Sequence, residues 1–238
     1  MISFIVPAHN EEAMIGNCLD AINSAVESIG SEHEIIVVDD ASTDLTARFA
    51  QQRGAHVIHV AHRNIAATRN AGARGASGEV LFFVDADTLL NAGVMHAALC
   101  AIEGGAAGGG CVPLFDGWLP LWARLCYPFM VFASRHLLRQ TGGACLFCTR
   151  DAFAASGGFS EAHYAAEEVG WIKRIKSYGR FVIPRETVLT SGRSLRNQSL
   201  WTIARIFVRL VLRGPDGFRT KRGLDLWYRP AREKATSV

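Results

Sequence analysis

Lysine is scarce in this 238-residue chain, and several motifs that mark common enzyme classes are missing. Only four of the 25 basic residues are lysine. No Gly-Lys-Ser/Thr follows the glycine-rich run at 104–110, so this run is not the phosphate loop of a nucleotide triphosphatase, and we expect a flexible connection. The first apolar run leads into Pro-Ala-His-Asn. A Rossmann oxidoreductase needs Gly-x-Gly-x-x-Gly there, which excludes that class.

Long uninterrupted hydrophobic runs are also missing. Residues 111–138 are strongly apolar, but prolines and charges interrupt them at Pro113, Asp116, Pro120, Arg124 and Pro128. A membrane-spanning helix needs about 20 consecutive apolar residues, so we predict no span here. Met1 leads directly into a strand-like run, with no charged leader or cleavage site, and we expect a cytoplasmic protein.

The six cysteines do not form a metal-binding pattern. Cys145 and Cys148 have CxxC spacing, but no second such pair and no paired histidines accompany them. Because a structural zinc ion needs four ligands, we expect these two to be buried thiols. A chain of this size needs no disulfides, which fits a reducing compartment.

The charge is divided unevenly along the chain. Residues 1–190 carry 14 basic and 19 acidic side chains, a balance of −5, whereas residues 191–238 carry 11 and 3, a balance of +8. Within the basic part, Arg205, Arg209 and Arg213 follow an i, i+4, i+8 spacing on an otherwise apolar helix. This pattern suits a helix in a membrane interface, which we favour slightly, and also a helix packed on the domain with its arginines in water.

Strand-like and helical patterns alternate through the first hundred residues. The strand-like runs are 2–6, 34–38, 55–60 and 80–84, and helical periods follow at 11–29 (with Asn10 as the cap), 43–53, 64–75 and 91–103. Near-continuous apolar strands that alternate with helices predict an α/β fold with a mostly parallel central sheet and helices on both faces. We predict one domain over residues 1–190 and a basic helical C-terminal extension over 191–238.

Polar residues stand where the predicted strands end. Pro7, the Asp39–Asp40 pair and Asp85-Ala-Asp87 each follow a strand, and the carboxyl ends of parallel strands form the ligand crevice of such sheets. Two carboxylates two residues apart can approach a ribose and a divalent cation, because Mg²⁺ and Mn²⁺ prefer oxygen ligands and bridge carboxylates to diphosphate.

Seven motifs, in this order, resemble family 2 glycosyltransferases of the GT-A fold. They are Pro7-Ala-His-Asn-Glu-Glu12, Val37-Val-Asp-Asp-Ala-Ser-Thr-Asp44, Arg69-Asn-Ala-Gly72, Asp85-Ala-Asp87, Gly142-Gly143, Gly157-Gly-Phe-Ser-Glu161 and Glu167-Glu168. The resemblance covers residues 1 to about 185. It implies a nucleotide-diphosphate sugar as donor, UDP-sugar favoured and GDP-sugar next, with Mg²⁺ or Mn²⁺ as cofactor and inversion at the anomeric carbon. No nucleic-acid polymer is expected as a partner.

The resemblance also implies roles for single residues. Pro7, Ala8 and Glu11 would border the nucleobase, Asp40 would meet its polar edge, Arg69 would lie near the nucleoside or diphosphate, Asp85 would approach the ribose, and Asp87 would bind the metal. Glu168 stands where the family has a general base, more often Asp. Arg193, after the last strand, is a candidate for the diphosphate, and His163 is a lesser candidate for the metal.

The acceptor is not identified by the sequence. A lipid-linked acceptor would explain the apolar residues 111–138 and the arginine-bearing helix, and it would place the protein peripherally on a membrane. Two alternatives stay open. One is a polyprenyl-phosphate acceptor, which is already anionic and needs no general base; the other is a non-catalytic module that binds sugar nucleotides. The family's processive synthases carry Gln-x-x-Arg-Trp, which this sequence lacks.

Overall fold

The computed structural model describes residues 1–196 and 200–220. The strands are β1 (Ile2–Ala8), β2 (His33–Asp40), β3 (His56–Val60), β4 (Val80–Val84), β5 (Thr88–Leu89), β6 (Ala106–Gly110), β7 (Val112–Phe115), β8 (Cys145–Thr149), β9 (Arg180–Val182) and β10 (Thr187–Thr190). The helices are α1 (Ile15–Glu27), α2 (Thr46–Gln52), α3 (Ile65–Gly75), α4 (Ala92–Glu103), α5 (Leu121–Phe132), α6 (Arg150–Ser156), α7 (Glu167–Tyr178), α8 (Arg193–Arg196) and α9 (Leu200–Arg213), with a π-helical segment at Ala133–Leu138 and a 3₁₀ turn at Gly214–Phe218.

The central sheet has seven strands in the order β3-β2-β1-β4-β8-β6-β9. All its pairings are parallel except those of β8, which runs antiparallel between β4 and β6. Side chains alternate between the two faces, so that Phe4 and Phe82 belong to one apolar core and Ile5 and Phe83 to the other. The predicted α/β fold, with a mostly parallel sheet covered on both faces, is confirmed.

A second, three-stranded sheet lies at the carboxyl end of β4. Its order is β5-β10-β7, with β10 antiparallel to β5 and parallel to β7. Because β5 directly follows the Asp85–Asp87 segment, this sheet brings a distant part of the chain to it. Thr190, the last residue of β10, receives a hydrogen bond from the hydroxyl of Thr88 at 2.9 Å.

The glycine-rich run is a buried strand, so the prediction of a flexible connection was wrong. Strand β6 lies between β8 and β9 in the sheet, and all its residues are buried. A Cβ added at Gly109 would lie 2.3 Å from Cζ of Phe147, and one added at Gly108 would lie 2.6 Å from the carbonyl oxygen of Phe147. Close approach to β8 therefore requires glycine here, and sequence composition does not distinguish this requirement from flexibility.

The cap predicted for the first helix was also wrong. Helix α1 begins at Ile15, and Asn10 lies outside it with a left-handed φ of 54°. The Asn10 side chain instead accepts a hydrogen bond from the backbone N–H of Thr43 at 2.8 Å, which ties the loop after β1 to the loop after β2. Asn64, in contrast, caps α3 by accepting from the N–H of Ala67 at 3.0 Å.

Beyond α8, the C-terminal residues that the structure describes contact the domain at Phe218, which is buried, and at Asp216, which lies 3.3 Å from Nε2 of His163. Phe218 is buried against Ala165, and its carbonyl accepts a hydrogen bond from the N–H of Tyr164 at 2.8 Å. The guanidinium of Arg209 lies 5.1 Å from the centre of the Phe218 ring, while Arg205 and Arg213 are exposed. The three arginines therefore do not form one exposed row. Residues 197–199 and 221–238 of the predicted extension lie outside the described residues.

Among residues 1–196 and 200–220, no helix combines the length and the apolar character that crossing a bilayer requires.

Candidate active site

The crevice at the carboxyl ends of β1, β2 and β4 holds most of the residues predicted from the sequence. Asp85 and Asp87 follow β4, and the backbone N–H of Asp85 bonds to the carbonyl of Ala144 at 3.0 Å. Pro7 and Ala8 end β1 and are buried. The sheet thus joins segments that are far apart in the sequence, as the strand-end rule predicts.

A buried arginine connects the two acidic motifs. Arg69 is only 2% exposed, and its Nη2 donates to Oδ1 of Asp85 at 2.8 Å and to the carbonyl of Gly143 at 3.0 Å. Its Nη1 donates to Oε1 of Glu167 at 2.5 Å. Gly72 allows this arrangement, since a Cβ there would lie 2.4 Å from Ile5 and would push α3 away from β1.

These contacts give Arg69 a positioning role. Its two Nη atoms bond to groups of the protein, and the side chain is almost fully covered. Nε of Arg69 is buried and has no hydrogen-bond partner among the described residues. We therefore interpret Arg69 as a residue that holds Asp85 and Glu167, and its expected place near the nucleoside or diphosphate stays a prediction.

Loss of Arg69 is expected to destabilise the fold strongly. Arg69→Gln leaves two carboxylates, Asp85 and Glu167, without their common cation, and removal of one partner from a buried pair typically costs about 3–5 kcal/mol. Arg74→Gln is the control, because Arg74 is 65% exposed and its contact with Glu161 spans 3.8 Å. Exposed pairs contribute about 0–1 kcal/mol. Urea unfolding of the two variants measures the difference, and equal losses of stability would contradict the assignment.

A second arginine, Arg193, lies between the carboxylates of Glu11 and Asp87 on the other side of the crevice. Nη2 of Arg193 bonds to Oε1 of Glu11 and lies 3.3 Å from Oδ2 of Asp87. The hydroxyl of Thr190 donates to Oδ1 of Asp87 at 3.2 Å. Oε2 of Glu11 is buried and has no hydrogen-bond partner within residues 1–196 and 200–220. Glu11, Asp87 and Arg193, all predicted from the sequence as donor-site residues, thus form one cluster.

The crevice has an excess of negative charge. Five carboxylates, those of Glu11, Asp85, Asp87, Glu167 and Glu168, share the two arginines described above. Burial raises the pKa of Asp87 to about 7, and the charge of Asp85 adds to this, while Arg193 opposes it. Burial likewise raises the pKa of Glu11. The site therefore accommodates additional positive charge.

The donor set fits a hard divalent cation that takes most of its ligands from elsewhere. Among the described residues, no group of three or more His, Cys, Asp or Glu side chains forms a complete metal site. Mg²⁺ and Mn²⁺ do not need one, because they bind through one or two carboxylates together with water and substrate phosphates. Asp87 and Oε2 of Glu11, which lie in the same cluster, could supply such ligands.

Glu168 is a half-buried carboxylate in the first turn of α7, next to buried Glu167. Burial raises the pKa of Glu168 to about 8; the charge of Glu167 acts in the same direction, and Arg69 opposes both. Burial raises the pKa of Glu167 as well. A carboxylate with a pKa near neutrality is suited to accept a proton, since general bases work best when their pKa lies close to the working pH.

The Asp40 carboxylate makes hydrogen bonds to other groups of the protein, which the sequence did not suggest. It is 5% exposed and accepts hydrogen bonds from the backbone N–H groups of Arg63 and Asn64, at 2.8 and 3.2 Å, and from the hydroxyl of Thr68 at 2.9 Å. A carboxylate has about four acceptor positions, so these three hydrogen bonds leave one position for the nucleobase contact expected from the sequence. Its main observed effect is to hold the loop that precedes α3. The neighbouring Asp39 accepts a hydrogen bond from the N–H of Ser42 at 3.2 Å.

Several site residues were missed by sequence reasoning. Thr190 and Thr88 hold Asp87 in place, and Gly143 supplies a backbone oxygen to Arg69. The position of Thr190 at the end of a short strand, before Ser-Gly-Arg193, is the only signal for it. His163, a lesser metal candidate, contacts Ser160 through Nδ1 and Asp216 through Nε2, and so links to the C-terminal segment.

The pattern that describes Glycosyl transferase family 2 matches residues 3–156. The chain belongs to glycosyl transferase family 2. The match includes β1 to α6 and therefore Asp40, Arg69, Asp85 and Asp87, whereas Glu168 and Arg193 lie beyond it.

Curated relatives match over a shorter stretch. The chain is 32% identical over 101 residues to the uncharacterized glycosyltransferase EpsJ of Bacillus subtilis. These residues make up 40% of this chain and 28% of that protein. It is 34% identical over 92 residues to glycosyltransferase AglE of Haloferax volcanii, 36% of this chain and 30% of that protein. The matched stretch thus spans less than a third of these relatives' length.

Solved structures share the fold. A mannosyltransferase from Pyrobaculum calidifontis, in complex with GDP-Man and Mn²⁺, superimposes with a TM-score of 0.66 at 20% identity, over 89% of this chain and 61% of that one. S. aureus TarS 1-349 with UDP-GlcNAc gives a TM-score of 0.63 at 17% identity, over 89% and 65%. Both are glycosyltransferase structures with the GT-A fold, and they confirm the predicted fold class.

Proposed function

We propose that the chain transfers a sugar from a nucleotide-diphosphate donor to an acceptor hydroxyl, with Glu168 as general base. The observation that carries the proposal is the link through Arg69. This one guanidinium bonds to Asp85 of the donor motif and to Glu167, the neighbour of Glu168. A carboxylate suited to donor binding is therefore tied to the first turn of α7, the turn that carries Glu168.

The donor side of the proposal rests on the cluster of Glu11, Asp87 and Arg193. Asp87 would bind Mg²⁺ or Mn²⁺, and such a cation stabilises the negative charge of a leaving nucleoside diphosphate. Arg193 would exchange its carboxylate partners for diphosphate oxygens, which it can bind in a bidentate manner. UDP-sugar is the favoured donor and GDP-sugar the next. Structures that share the fold contain UDP-GlcNAc in one case and GDP-Man with Mn²⁺ in another.

The acceptor side follows from the chemistry of a hydroxyl nucleophile. A sugar or lipid hydroxyl attacks well only if its proton leaves during the attack, and Glu168 would take that proton. Attack opposite the leaving diphosphate is a single displacement and inverts the anomeric carbon. A phosphate acceptor, already an anion, would attack without this step, and Glu168 would then have another role.

The pH dependence of turnover tests the base directly. Glu168 must be deprotonated to act, and its pKa is raised to about 8, so activity should be lost as the pH falls below that value. At saturating Mn²⁺ we expect kcat/KM to fall about tenfold per pH unit on the acid side, since this ratio reports the free enzyme. At limiting Mn²⁺ the slope should steepen below about pH 7, where protons compete for Asp87. A flat profile between pH 6 and 9 would contradict the proposal.

Donor choice and catalysis are tested together by two measurements. Thermal unfolding with UDP-, GDP- and dTDP-sugars in the presence of Mn²⁺ identifies the donor, because a ligand that binds only the folded state raises its stability. Slow hydrolysis of that donor then distinguishes an enzyme from a non-catalytic binding module. Stabilisation by a donor without any hydrolysis or transfer would favour the module.

A further inference from the structure

Exposed apolar side chains are concentrated in one segment of the chain. Eight of the sixteen large apolar side chains that are exposed in the described residues lie between 118 and 138, which we name the docking segment. They are Trp118, Leu121, Leu125, Phe129, Met130, Phe132, Leu137 and Leu138. Apolar patches of this kind on a protein surface mark sites where another molecule binds.

Helix α5, the core of the docking segment, has one packed side and one exposed side. Ala123 is buried, and Tyr127 packs its ring 5.7 Å from that of Phe115 and donates its hydroxyl hydrogen to the carbonyl of Pro113. The opposite side carries Leu121, Leu125, Phe129 and Phe132, with spacings of four, four and three residues and exposures of 53–71%. At about 100° per residue these four lie within roughly 80° of the helix circumference.

The basic residues in and beside the docking segment indicate which kind of surface its apolar side binds. Between Asp116 and Asp151 the sequence has no acidic residue, whereas Arg124, Arg135 and Arg139 are basic. Arg124 is exposed and stands beside the apolar side of α5, and Arg139 is exposed just after the segment. Along the sequence, the exposed apolar side chains are thus accompanied by basic residues alone, a combination that is complementary to an anionic lipid surface. Exposed Trp118 adds a residue that favours the headgroup region.

The size of α5 decides how it would meet a bilayer. Its 12 residues extend about 18 Å, well short of the roughly 30 Å hydrocarbon core, and Pro128 lies within it. The helix therefore suits a position parallel to the surface, with its apolar side among the headgroups and upper acyl chains.

The chain is attached to the crevice on both sides of the docking segment. Two residues before the segment, Oδ1 of Asp116 accepts a hydrogen bond from the N–H of Gly192 at 2.7 Å and lies 3.1 Å from Nη1 of Arg196, so that it contacts the residues on either side of Arg193. After its end, the carbonyl of Gly143 accepts from Arg69. A surface that holds the segment thus also holds the entrance of the candidate active site.

We propose that the docking segment binds the surface of an anionic bilayer and holds the crevice there. The advantage of this position, access to an acceptor carried by a membrane lipid, rests on the transfer proposed above. The binding itself does not, because it depends only on the apolar side of α5 and the flanking arginines. Among the acceptors left open by the sequence, docking favours a lipid-linked one.

Vesicle flotation of the full 238-residue chain tests the docking. We expect binding to phosphatidylcholine–phosphatidylglycerol vesicles at low salt, weaker binding to phosphatidylcholine alone, and release as NaCl rises, because salt screens the attraction of the arginines. Leu125→Glu with Phe129→Glu should lower the partition coefficient by more than ~100-fold, since each buried Leu or Phe side chain contributes on the order of tenfold or more. Arg124→Gln should lower it about fivefold.

Leu45→Glu is the matched control, because Leu45 is 46% exposed and precedes α2, far along the chain from the docking segment. It should bind vesicles as the wild type does. Thermal unfolding of each variant verifies folding. Absence of vesicle binding by the wild type, or equal loss in Leu45→Glu, would overturn the proposal. The proposal would also be overturned if the wild type forms a dimer that does not bind vesicles and if Leu125→Glu with Phe129→Glu converts this dimer to a monomer. A second copy of the chain would then cover the apolar side of α5.

Donor hydrolysis in the absence of vesicles separates this proposal from the proposed function. The Leu125→Glu, Phe129→Glu variant should hydrolyse the donor at the wild-type rate, because neither residue contacts the crevice cluster. Vesicle binding by a wild type that never hydrolyses or transfers would support docking and contradict the transfer. Hydrolysis without vesicle binding would support the transfer and contradict docking.

Discussion

Replacement of Glu168 by glutamine is expected to lower kcat by roughly 10²–10⁴, the usual contribution of general acid–base catalysis. Glutamine keeps the size and hydrogen-bonding capacity of the side chain but cannot accept the proton of the acceptor hydroxyl. Nucleoside diphosphate affinity should barely change, because the proposed base would contact the acceptor and not the nucleotide. Single-turnover kinetics together with calorimetric titration of UDP measures both quantities.

The structure indicates a different control variant for Glu168→Gln from the one that the sequence suggests. From the sequence, Glu167→Gln is the natural comparison and should be much milder. In the structure, Glu167 is buried and ion-paired with Arg69, so its replacement would disturb Asp85 as well. Glu186→Gln is a cleaner control, because Glu186 is exposed on the loop between β9 and β10. Near-normal turnover in Glu168→Gln would refute the general base and point to a phosphate acceptor.

Asp87→Ala is expected to abolish the metal-dependent part of donor binding. Wild-type protein should bind UDP more tightly with Mn²⁺ than with EDTA, and the variant should show the EDTA affinity in both conditions. If the cation contributes several kcal/mol to charge stabilisation in the transition state, turnover should fall on the order of 10²–10³. Below about pH 7 the wild type should also lose Mn²⁺-dependent binding, because a proton then occupies the carboxylate.

Asp151→Ala controls for the loss of a carboxylate at an exposed position, in the first turn of α6. It should bind UDP and Mn²⁺ as the wild type does. The Asp87 variant should also remain folded, because Arg193 retains its contact with Glu11. Equal UDP affinity of the wild type in Mn²⁺ and in EDTA would rule out a bridging metal, and Asp87 would then be an acceptor for the donor's hydroxyl groups alone.

The order of strands and helices in the first hundred residues was determined by the sequence itself. Apolar periodicity is a local property, and it placed β4 at Val80–Val84 with the bounds the structure has. It placed the other elements within a few residues, except the two-residue strand β5, which it did not predict. It also placed Asp40, Asp85 and Asp87 at strand ends, where a parallel sheet gathers them. The order of the motifs indicated the family, and the match over residues 3–156 confirmed it.

The residues that surround those carboxylates were decided by the tertiary structure. Arg193 meets Glu11 from 182 positions away, and Arg69 meets Glu167 from 98 positions away. No local pattern encodes such pairs, since they depend on β8 entering the sheet antiparallel and on β10 returning beside β5. The roles proposed for Glu168, Arg193 and the donor-site residues stay predictions until the variants are measured.

Amino-acid composition cannot determine whether a glycine-rich run is a flexible linker or a buried strand. The run at 104–110 has the composition of a flexible linker, yet five of its residues form β6 inside the sheet, where β8 leaves no room for a side chain at Gly109. The same limit applies to the apolar residues 118–138, which have the composition of a buried core. Only the tertiary structure shows that the four residues opposite the packed side of α5 face outward, because burial depends on what the fold places beside a helix.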